Sequence, residues 1–204
     1  MLRAITLTFT MFTLSACASL SAEECRVADW REIGYTDAAN GFTQGSIEDH
    51  RNACAKTGVA VQLAPYLEGF NAGLQNYCTV QTALNLGSTG AQFPSQCTGA
   101  IVKKMTPAYQ AGREQYQMVR EQNDLRTLIY NKTEQAQALN KQIQDLASTT
   151  LNNNREQSQR LHTLRGLLFD LQTETAQLQV ELQTLEAQTE RKKLQNLNQF
   201  AAGK

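Results

Sequence analysis

The sequence predicts a mainly α-helical protein, in which a small disulfide-stapled helical domain is followed by a long coiled-coil hairpin. Two observations predict this fold class. Four cysteines fall between residues 25 and 97, together with most of the glycines. Residues 107–204 hold no cysteine, 25 of these 98 residues are Gln or Asn, and leucines recur there at spacings of three and four. This change in composition places the cysteine domain at 25–116 and the coiled coil at 117–204.

The N-terminal residues are typical of an export signal. Arg3 supplies a positive charge, an apolar stretch follows from Ala4 to Leu14, and small residues come next. The apolar stretch is shorter than the roughly 20 residues that span a bilayer. Leu14-Ser15-Ala16-Cys17 resembles a lipobox, which predicts a signal peptide at 1–16, a lipidated Cys17 and a tether at 17–24. Ordinary cleavage after Ala18 is the alternative.

Lipidation at Cys17 would decide where the protein is located. Several acyl chains on one terminus give a stable membrane anchor, whereas a single chain binds only marginally. Bacterial lipoproteins with Asp after the lipidated cysteine stay in the inner membrane, and Ala18 stands there instead. The resemblance therefore implies a lipid anchor in the outer membrane of the bacterial envelope, on its periplasmic side.

The four remaining cysteines predict two disulfides, because the periplasm is oxidising and a small domain gains stability from cross-links. The tendency of near neighbours to pair favours Cys25 with Cys54 and Cys78 with Cys97, and the other two pairings stay open. No spacing of the Cys-x-x-Cys or His-x-x-x-His kind occurs. We therefore predict no metal site and no cofactor.

Three segments of the cysteine domain place an aromatic ring near a small residue at helical spacing. They run from Trp30 to Ala38, from Tyr66 to Cys78 and from Tyr109 to Tyr116. Because glycine weakens a helix by about 1 kcal/mol relative to alanine, these helices predict tight backbone packing or a ligand face. The segments Gly87–Gly90 and Phe93–Ser95 are predicted as loops.

Residue types used in catalysis are present, but no catalytic motif surrounds them. Ser46 lacks the Gly-x-Ser-x-Gly pattern, and His50 is predicted on a helix from Ser46 to Lys56 as a structural hydrogen-bonding residue. We predict that the protein is not an enzyme. The alternative is a ligand-binding or hydrolytic face in the cysteine domain, formed by Trp30, Tyr35, Asp37, His50, Tyr66, Gly69, Gly73 and Tyr77.

The cysteine domain resembles a known bacterial lipoprotein family. The resemblance covers about 25–116 and is carried by His50-x-x-x-Cys54, Tyr66-x-x-Gly69, Gly73-Leu74-x-x-Tyr77-Cys78, Leu86-Gly87-x-x-Gly90, Cys97 and Tyr109-x-x-Gly112, with Asp29-Trp30 as an opening motif. The family is domain of unknown function 2799. The sequence departs from its pattern at Ala38, where the family has glycine, and at Phe70, where it has a basic residue. If that basic residue binds an anion in relatives, this chain has lost that function. The resemblance implies no activity.

The C-terminal part shows a heptad seam on each side of a polar segment at Thr149–Asn154. If the chain reverses there, the two seams pair around Asn153 and Asn154, for example Leu125 with Leu182. Lys132 and Thr175 then interrupt the seam at facing positions. The alternative is one continuous helix that must oligomerise to bury its seam.

These observations favour an envelope protein that acts as an adaptor. The formal net charge is zero and the basic runs at 103–104 and 191–193 are short, which excludes a nucleic-acid-binding surface. The predicted partners are the membrane, through the lipid on Cys17, and either another envelope protein or a second copy of the chain, through the coiled coil. Leu167, Leu168 and Phe169 widen the apolar face beyond what a two-helix seam needs, which favours either a partner contact there or packing on the cysteine domain.

Overall fold

The computed structural model describes residues 20–149 and 155–201. The predicted signal peptide at 1–16, Cys17 and residues 150–154 of the predicted turn lie outside the described residues. Within them the chain forms helices and no strand. The helices are α1 Ala22–Arg26, α2 Trp30–Ala39, α3 Ser46–Cys54, a 3-10 turn Ala55–Thr57, α4 Leu63–Tyr77, α5 Val80–Thr89, α6 Ala100–Thr149 and α7 Arg155–Ala201.

The starts of the early helices follow from their capping residues. Ser21 accepts a hydrogen bond from the Glu24 backbone while the Glu24 carboxylate accepts one from the Ser21 backbone, which is a capping box for α1. Asp29 accepts hydrogen bonds from the backbones of Arg31 and Glu32 and caps α2. These caps fix the position at which α2 begins, and hence the positions of the side chains that it carries.

The chain divides into two compact units. The first ends at Cys78, and in it α2 packs along α4. The second begins at Thr79, and in it α5 packs on α6 while α6 packs on α7. Helix α6 continues without interruption through residues 116 and 117.

The first unit holds a disulfide between Cys25 and Cys54, with both cysteines fully buried. It joins α1 to the end of α3, so a short N-terminal helix is fixed to the core. Cys78 and Cys97 are also disulfide-bonded.

One loop prediction is wrong. Helix α5 runs through Thr89, so Gly87 lies within a helix and only Gly90, with φ of +78°, ends it. Gly87 is needed inside the helix because the backbone of α6 approaches it closely. The predicted loop at Phe93–Ser95 is confirmed.

The long hairpin is confirmed, and the chain does not continue as one helix from 100 to 201. Helices α6 and α7 run antiparallel: Gln122 donates to the hydroxyl of Thr189, 2.6 Å away, and Asn196 donates to the carbonyl of Ala111. The pair of Asn196 with Ala111 is centred on Asn153 and Asn154, as the sequence predicts, and so is the bond that Gln122 donates to the carbonyl of Leu185. Helices α6 and α7 therefore lie side by side in opposite directions, as a hairpin requires.

The polar interruptions of the seam are accommodated by local partners. Lys132 keeps most of its side chain buried and extends to Glu174, 2.7 Å away. Thr175 is buried and donates to the carbonyl of Leu171 in its own helix. Neither residue leaves a buried polar atom without a partner, but neither adds apolar contact to the seam.

The seam itself is only partly covered by the pairing of two helices. Among its apolar residues Ile143 is buried, at 8% exposure. The seam leucines are half-buried, which leaves apolar area available to a further helix. These half-buried leucines are Leu125, Leu139, Leu146, Leu161, Leu164, Leu168, Leu171, Leu178, Leu182 and Leu185.

Candidate functional site

The first unit is organised by a close crossing of α2 and α4 at two facing glycines. A Cβ atom on Gly69 would lie 1.8 Å from the carbonyl oxygen of Arg31, and one on Gly34 would lie 2.1 Å from that of Tyr66. Each glycine therefore faces the carbonyl three residues before the other glycine. At such short distances no side chain fits between the helices, and the two backbones are in direct contact. Gly69, which was predicted to belong to a ligand face, therefore serves helix packing.

The second unit repeats this crossing between α5 and α6. A Cβ atom on Gly87 would lie 2.2 Å from the carbonyl oxygen of Tyr109, and one on Gly112 would lie 2.3 Å from that of Leu84. The facing carbonyl again belongs to the residue three before the opposite glycine. The Tyr-x-x-Gly pattern is thus a helix-crossing device that the chain uses twice.

The two crossings differ in what the tyrosine hydroxyl contacts. Tyr109 donates to the backbone carbonyl of Ala91, 2.8 Å away. Tyr66 instead donates to the carboxylate of Asp37, at 2.7 Å. Asp37 lies on α2 one turn after Gly34, so the glycine crossing brings this carboxylate under α4.

Asp37 is the centre of a buried hydrogen-bond network. Its Oδ2 atom accepts from the Tyr66 hydroxyl and lies 2.7 Å from Nε2 of His50. The three side chains come from α2, α3 and α4, and all are buried. The carboxylate thereby links three helices of the first unit through two short hydrogen bonds.

His50 is arranged as a donor to this carboxylate. Nε2 faces Asp37, while Nδ1 is buried and has no hydrogen-bond partner among the described residues. In the neutral ring Nε2 then carries the hydrogen and Nδ1 the lone pair. A general base must present its lone pair to a substrate proton, and Nδ1 is buried instead.

Aromatic rings surround the network. The imidazole of His50 lies 6.5 Å from the ring centre of Trp30 and 6.1 Å from that of Tyr66. Tyr66 stacks on Phe70 at 6.0 Å, and Phe70 is fully buried. Phe70, which stands where the family has a basic residue, is therefore part of the apolar core.

The other two predicted tyrosines lie at the edge of this core. Tyr35 and Tyr77 are half-buried, and the Tyr35 hydroxyl accepts a hydrogen bond from Asn76. The Tyr77 ring covers Gly41, whose φ of +86° turns the chain after α2. The residues of the predicted face thus lie together in the first unit. They form part of its buried core, and only Tyr35 and Tyr77 are partly exposed.

The described residues supply no nucleophile or metal cluster to this network. Ser46 begins α3 and accompanies His50 on the same helix, but Nδ1 of His50 has no partner and Nε2 faces Asp37. No group of three His, Cys, Asp or Glu side chains in the described part of the chain could hold a metal ion. The arrangement can connect helices, and it lacks the groups that acyl transfer or metal chemistry requires.

Sequence reasoning missed the reciprocity of the two crossings and the direct link between Asp37 and Tyr66. The spacing on which the second crossing depends, a residue followed by glycine three positions later on each helix, was present in the sequence at Leu84-x-x-Gly87 and Tyr109-x-x-Gly112. Asp37 and Tyr66 are 29 positions apart, and nothing in the spacing of the sequence announces their contact.

The Tyr66 hydroxyl makes the first unit sensitive to alkaline pH. Burial, and then the hydrogen bond to Asp37 and its charge, raise the pKa of Tyr66 well above its ordinary value. Because the pKa is higher in the folded state, the unfolded chain releases this proton first as the pH rises. The stability of the first unit is therefore unaffected below about pH 10 and falls above it, by up to about 1.4 kcal/mol per pH unit. We expect Tyr66→Phe to reduce this alkaline loss, measured as urea unfolding at about pH 8 and about pH 11.

Trp30 is the only tryptophan and is buried in the first unit, so its fluorescence reports the unfolding of that unit. Tyr77→Phe, which keeps the Tyr66 hydroxyl, is the control and should retain the alkaline loss of the parent protein. An equal alkaline loss in Tyr66→Phe and in the parent would contradict the assignment.

Within residues 20–149 and 155–201, no helix has the length and apolar character needed to cross a membrane. Residues 29–114 match the family model described as protein of unknown function (DUF2799), which is the family that the sequence resembles. No curated protein matches the chain. No solved structure matches it either.

Proposed function

We propose that the chain is a lipoprotein of the bacterial outer membrane that acts as a non-catalytic adaptor in the periplasm. In this proposal the lipid on Cys17 holds the protein at the membrane and the hairpin of α6 and α7 contacts another envelope protein. The two disulfides support an exported protein, because disulfides persist in oxidising compartments.

The observation that carries the adaptor role is the exposed apolar surface of the hairpin. Among the described residues, eleven large hydrophobic side chains are exposed, and eight of them lie on α6 and α7. They are Val119, Leu128, Tyr130, Leu167, Phe169, Val180, Leu194 and Leu197. Apolar side chains that group on one surface are typical of sites where proteins meet.

Two of these residues, Val180 and Leu194, form a stripe along α7 together with the exposed Ala187, and we call these three residues the outer stripe. They recur every seven residues and therefore share one side of the helix. Val180 is 63% exposed and Leu194 is 59% exposed. The seam leucines occupy the other side of α7, so the outer stripe faces away from α6.

The buried network supports the non-catalytic part of the proposal. A catalytic site needs a reactive group that a substrate can reach. Trp30, Asp37, His50 and Tyr66 are each less than 10% exposed. Oδ2 of Asp37, Nε2 of His50 and the Tyr66 hydroxyl are used in hydrogen bonds within the network. No observation on these residues favours a glycan- or peptide-binding face.

The adaptor role predicts that the outer stripe contacts one particular protein in the cell. A photo-crosslinking residue placed at Thr184, next to the stripe, in the full chain should capture a single distinct envelope protein. The double variant Val180→Glu and Leu194→Glu, carrying the same crosslinker, should lose this adduct because two charges would be desolvated at the contact. Identification is by mass spectrometry of the adduct.

A matched control places the crosslinker at Gln188, which is exposed on α7 and lies four heptads after Arg160, on a flank of the helix away from the stripe. Capture of the same protein at equal yield from Gln188 would contradict a contact through the stripe. Failure to capture any envelope protein from Thr184 would contradict the adaptor role itself.

A further inference from the structure

We propose that a second copy of this chain docks on one side of the hairpin, which we call the groove face. The proposal depends on the geometry of α6 and α7 and not on the adaptor role. The groove face contains a depression of about 350 Å³ between the two helices. It is lined by Thr133, Ala136, Gln137, Asn140, Gln172, Thr175, Ala176 and Gln179.

The chemistry of this lining fits an identical partner. None of the eight residues is charged, and four of them are amides, which carry both a donor and an acceptor. An amide can therefore pair with the same amide of a second copy. The small side chains of Ala136 and Ala176 leave the space into which a neighbouring side chain could insert.

The lining also has an internal two-fold pattern. Tyr130 on α6 is followed by lining residues 3, 6, 7 and 10 positions later, and Phe169 on α7 is followed by lining residues at the same four offsets. Because the helices run antiparallel, this equal spacing relates one helix to the other by a local two-fold axis. A two-fold dimer uses the same self-complementary surface on both copies.

The two aromatic rings stand at opposite corners of this surface. Tyr130 is 65% exposed and Phe169 is 68% exposed, and each lies two turns before a lining residue of its own helix. Antiparallel helices place these two positions at opposite ends of the depression. The remaining two corners carry no ring. When a second copy is placed on the face by a two-fold rotation about an axis along or across the helices, the Tyr130 and Phe169 rings of that copy each lie over one of these two corners.

Charge distinguishes the groove face from the opposite side of the hairpin. A depression on that side is lined in part by Asp145 and Arg160. Asp124 lies three heptads before Asp145, and Glu174 and Glu181 lie two and three heptads after Arg160, so all of them share this side. Two copies that met there would bring carboxylates together. The groove lining is uncharged, and one heptad beyond it the charges have both signs: Arg165 stands there, together with Arg126 and Glu186, which form an ion pair.

The hairpin is large enough for a stable dimer. Helices α6 and α7 have 50 and 47 residues. Two helices, each about 10 Å wide, offer about 800 Å² over roughly 40 Å of their length, which is the area that one partner buries in a standard interface. The half-buried seam leucines would be covered further, which adds apolar area to the contact.

The test is the molecular mass of the full chain in a mild detergent, measured by sedimentation equilibrium over a range of concentrations. The parent protein should sediment as two chains. Gln137→Glu with Ala176→Glu places like charges on the groove face and should raise the dissociation constant at least ten-fold. Tyr130→Ala with Phe169→Ala should do the same by removing the corner rings.

The matched control is Gln135→Glu with Gln177→Glu, which adds the same charge on the opposite side and should leave the dimer intact. Circular dichroism shows whether each variant keeps its helices. The proposal is overturned if the parent sediments as one chain throughout, or if the control dissociates as much as the groove variants. It is also overturned if a crosslinker at Gln137 in cells captures a different protein and no second copy.

Discussion

Gly69→Ala is expected to destabilise the first unit by about 3 kcal/mol, because the added methyl group cannot be accommodated without separating two helices. The Cβ atom would lie 1.8 Å from the carbonyl oxygen of Arg31, and that atom belongs to the backbone of α2. Moving it requires α2 and α4 to part, which weakens the contact of Tyr66 with Asp37 as well. Urea unfolding followed by the fluorescence of Trp30 measures the change.

Gly166→Ala is the matched control for this prediction. Gly166 lies within α7, and a Cβ atom there would meet nothing within 4 Å. The same substitution should then stabilise α7 by up to about 1 kcal/mol through helix propensity, measured by circular dichroism. A loss at Gly166 equal to that at Gly69 would show that the crossing is not the cause.

Removal of the disulfide between Cys25 and Cys54 is expected to cost about 3 to 4 kcal/mol in the first unit. The bond closes a loop with a sequence separation of 29, and the loss of chain entropy in the unfolded state gives this magnitude. The variant is Cys25→Ala with Cys54→Ala, and the free energy of unfolding is again measured by Trp30 fluorescence. A change below about 1 kcal/mol would contradict the structural role of this bond.

A reducing agent provides the control for the disulfide. It should lower the stability of the parent more than that of the double variant, because the variant has already lost this cross-link. Equal sensitivity of the two proteins would mean that the other disulfide-bonded cysteines, Cys78 and Cys97, account for the effect of reduction.

Local patterns in the sequence predicted most of the helices. The heptad seam predicted the hairpin and its register, because a repeat of seven fixes which side of a helix is apolar. Nearness in sequence favoured the pairing of Cys25 with Cys54, which the structure contains. The glycine rule failed at Gly87, because a close helix neighbour outweighed the preference of glycine for loops.

The candidate site was predicted only as a set of residues. Asp37, His50 and Tyr66 were named, but their mutual hydrogen bonds depend on how α2, α3 and α4 cross, which no local pattern encodes. The same limit applies to the groove face. Its lining residues come from two helices, and their common pattern becomes visible only when the antiparallel register is known.

The first unit and the hairpin have different roles in this account. The crossing glycines, the disulfide and the buried carboxylate give the first unit a fixed structure. Exposed apolar residues lie on α6 and α7. In the proposed function the first unit is a support, and the hairpin makes the specific contacts.

The central claim is that the hairpin surface, and not the buried network, carries the function. The most direct test compares the yield of the adduct captured from Thr184 in three forms of the full chain: the parent, Tyr66→Phe, and Val180→Glu with Leu194→Glu. The account predicts equal capture of one envelope protein by the parent and by Tyr66→Phe, and loss of capture in the double glutamate variant. Loss of capture in Tyr66→Phe, with the helices intact and with capture retained in the glutamate variant, would contradict it.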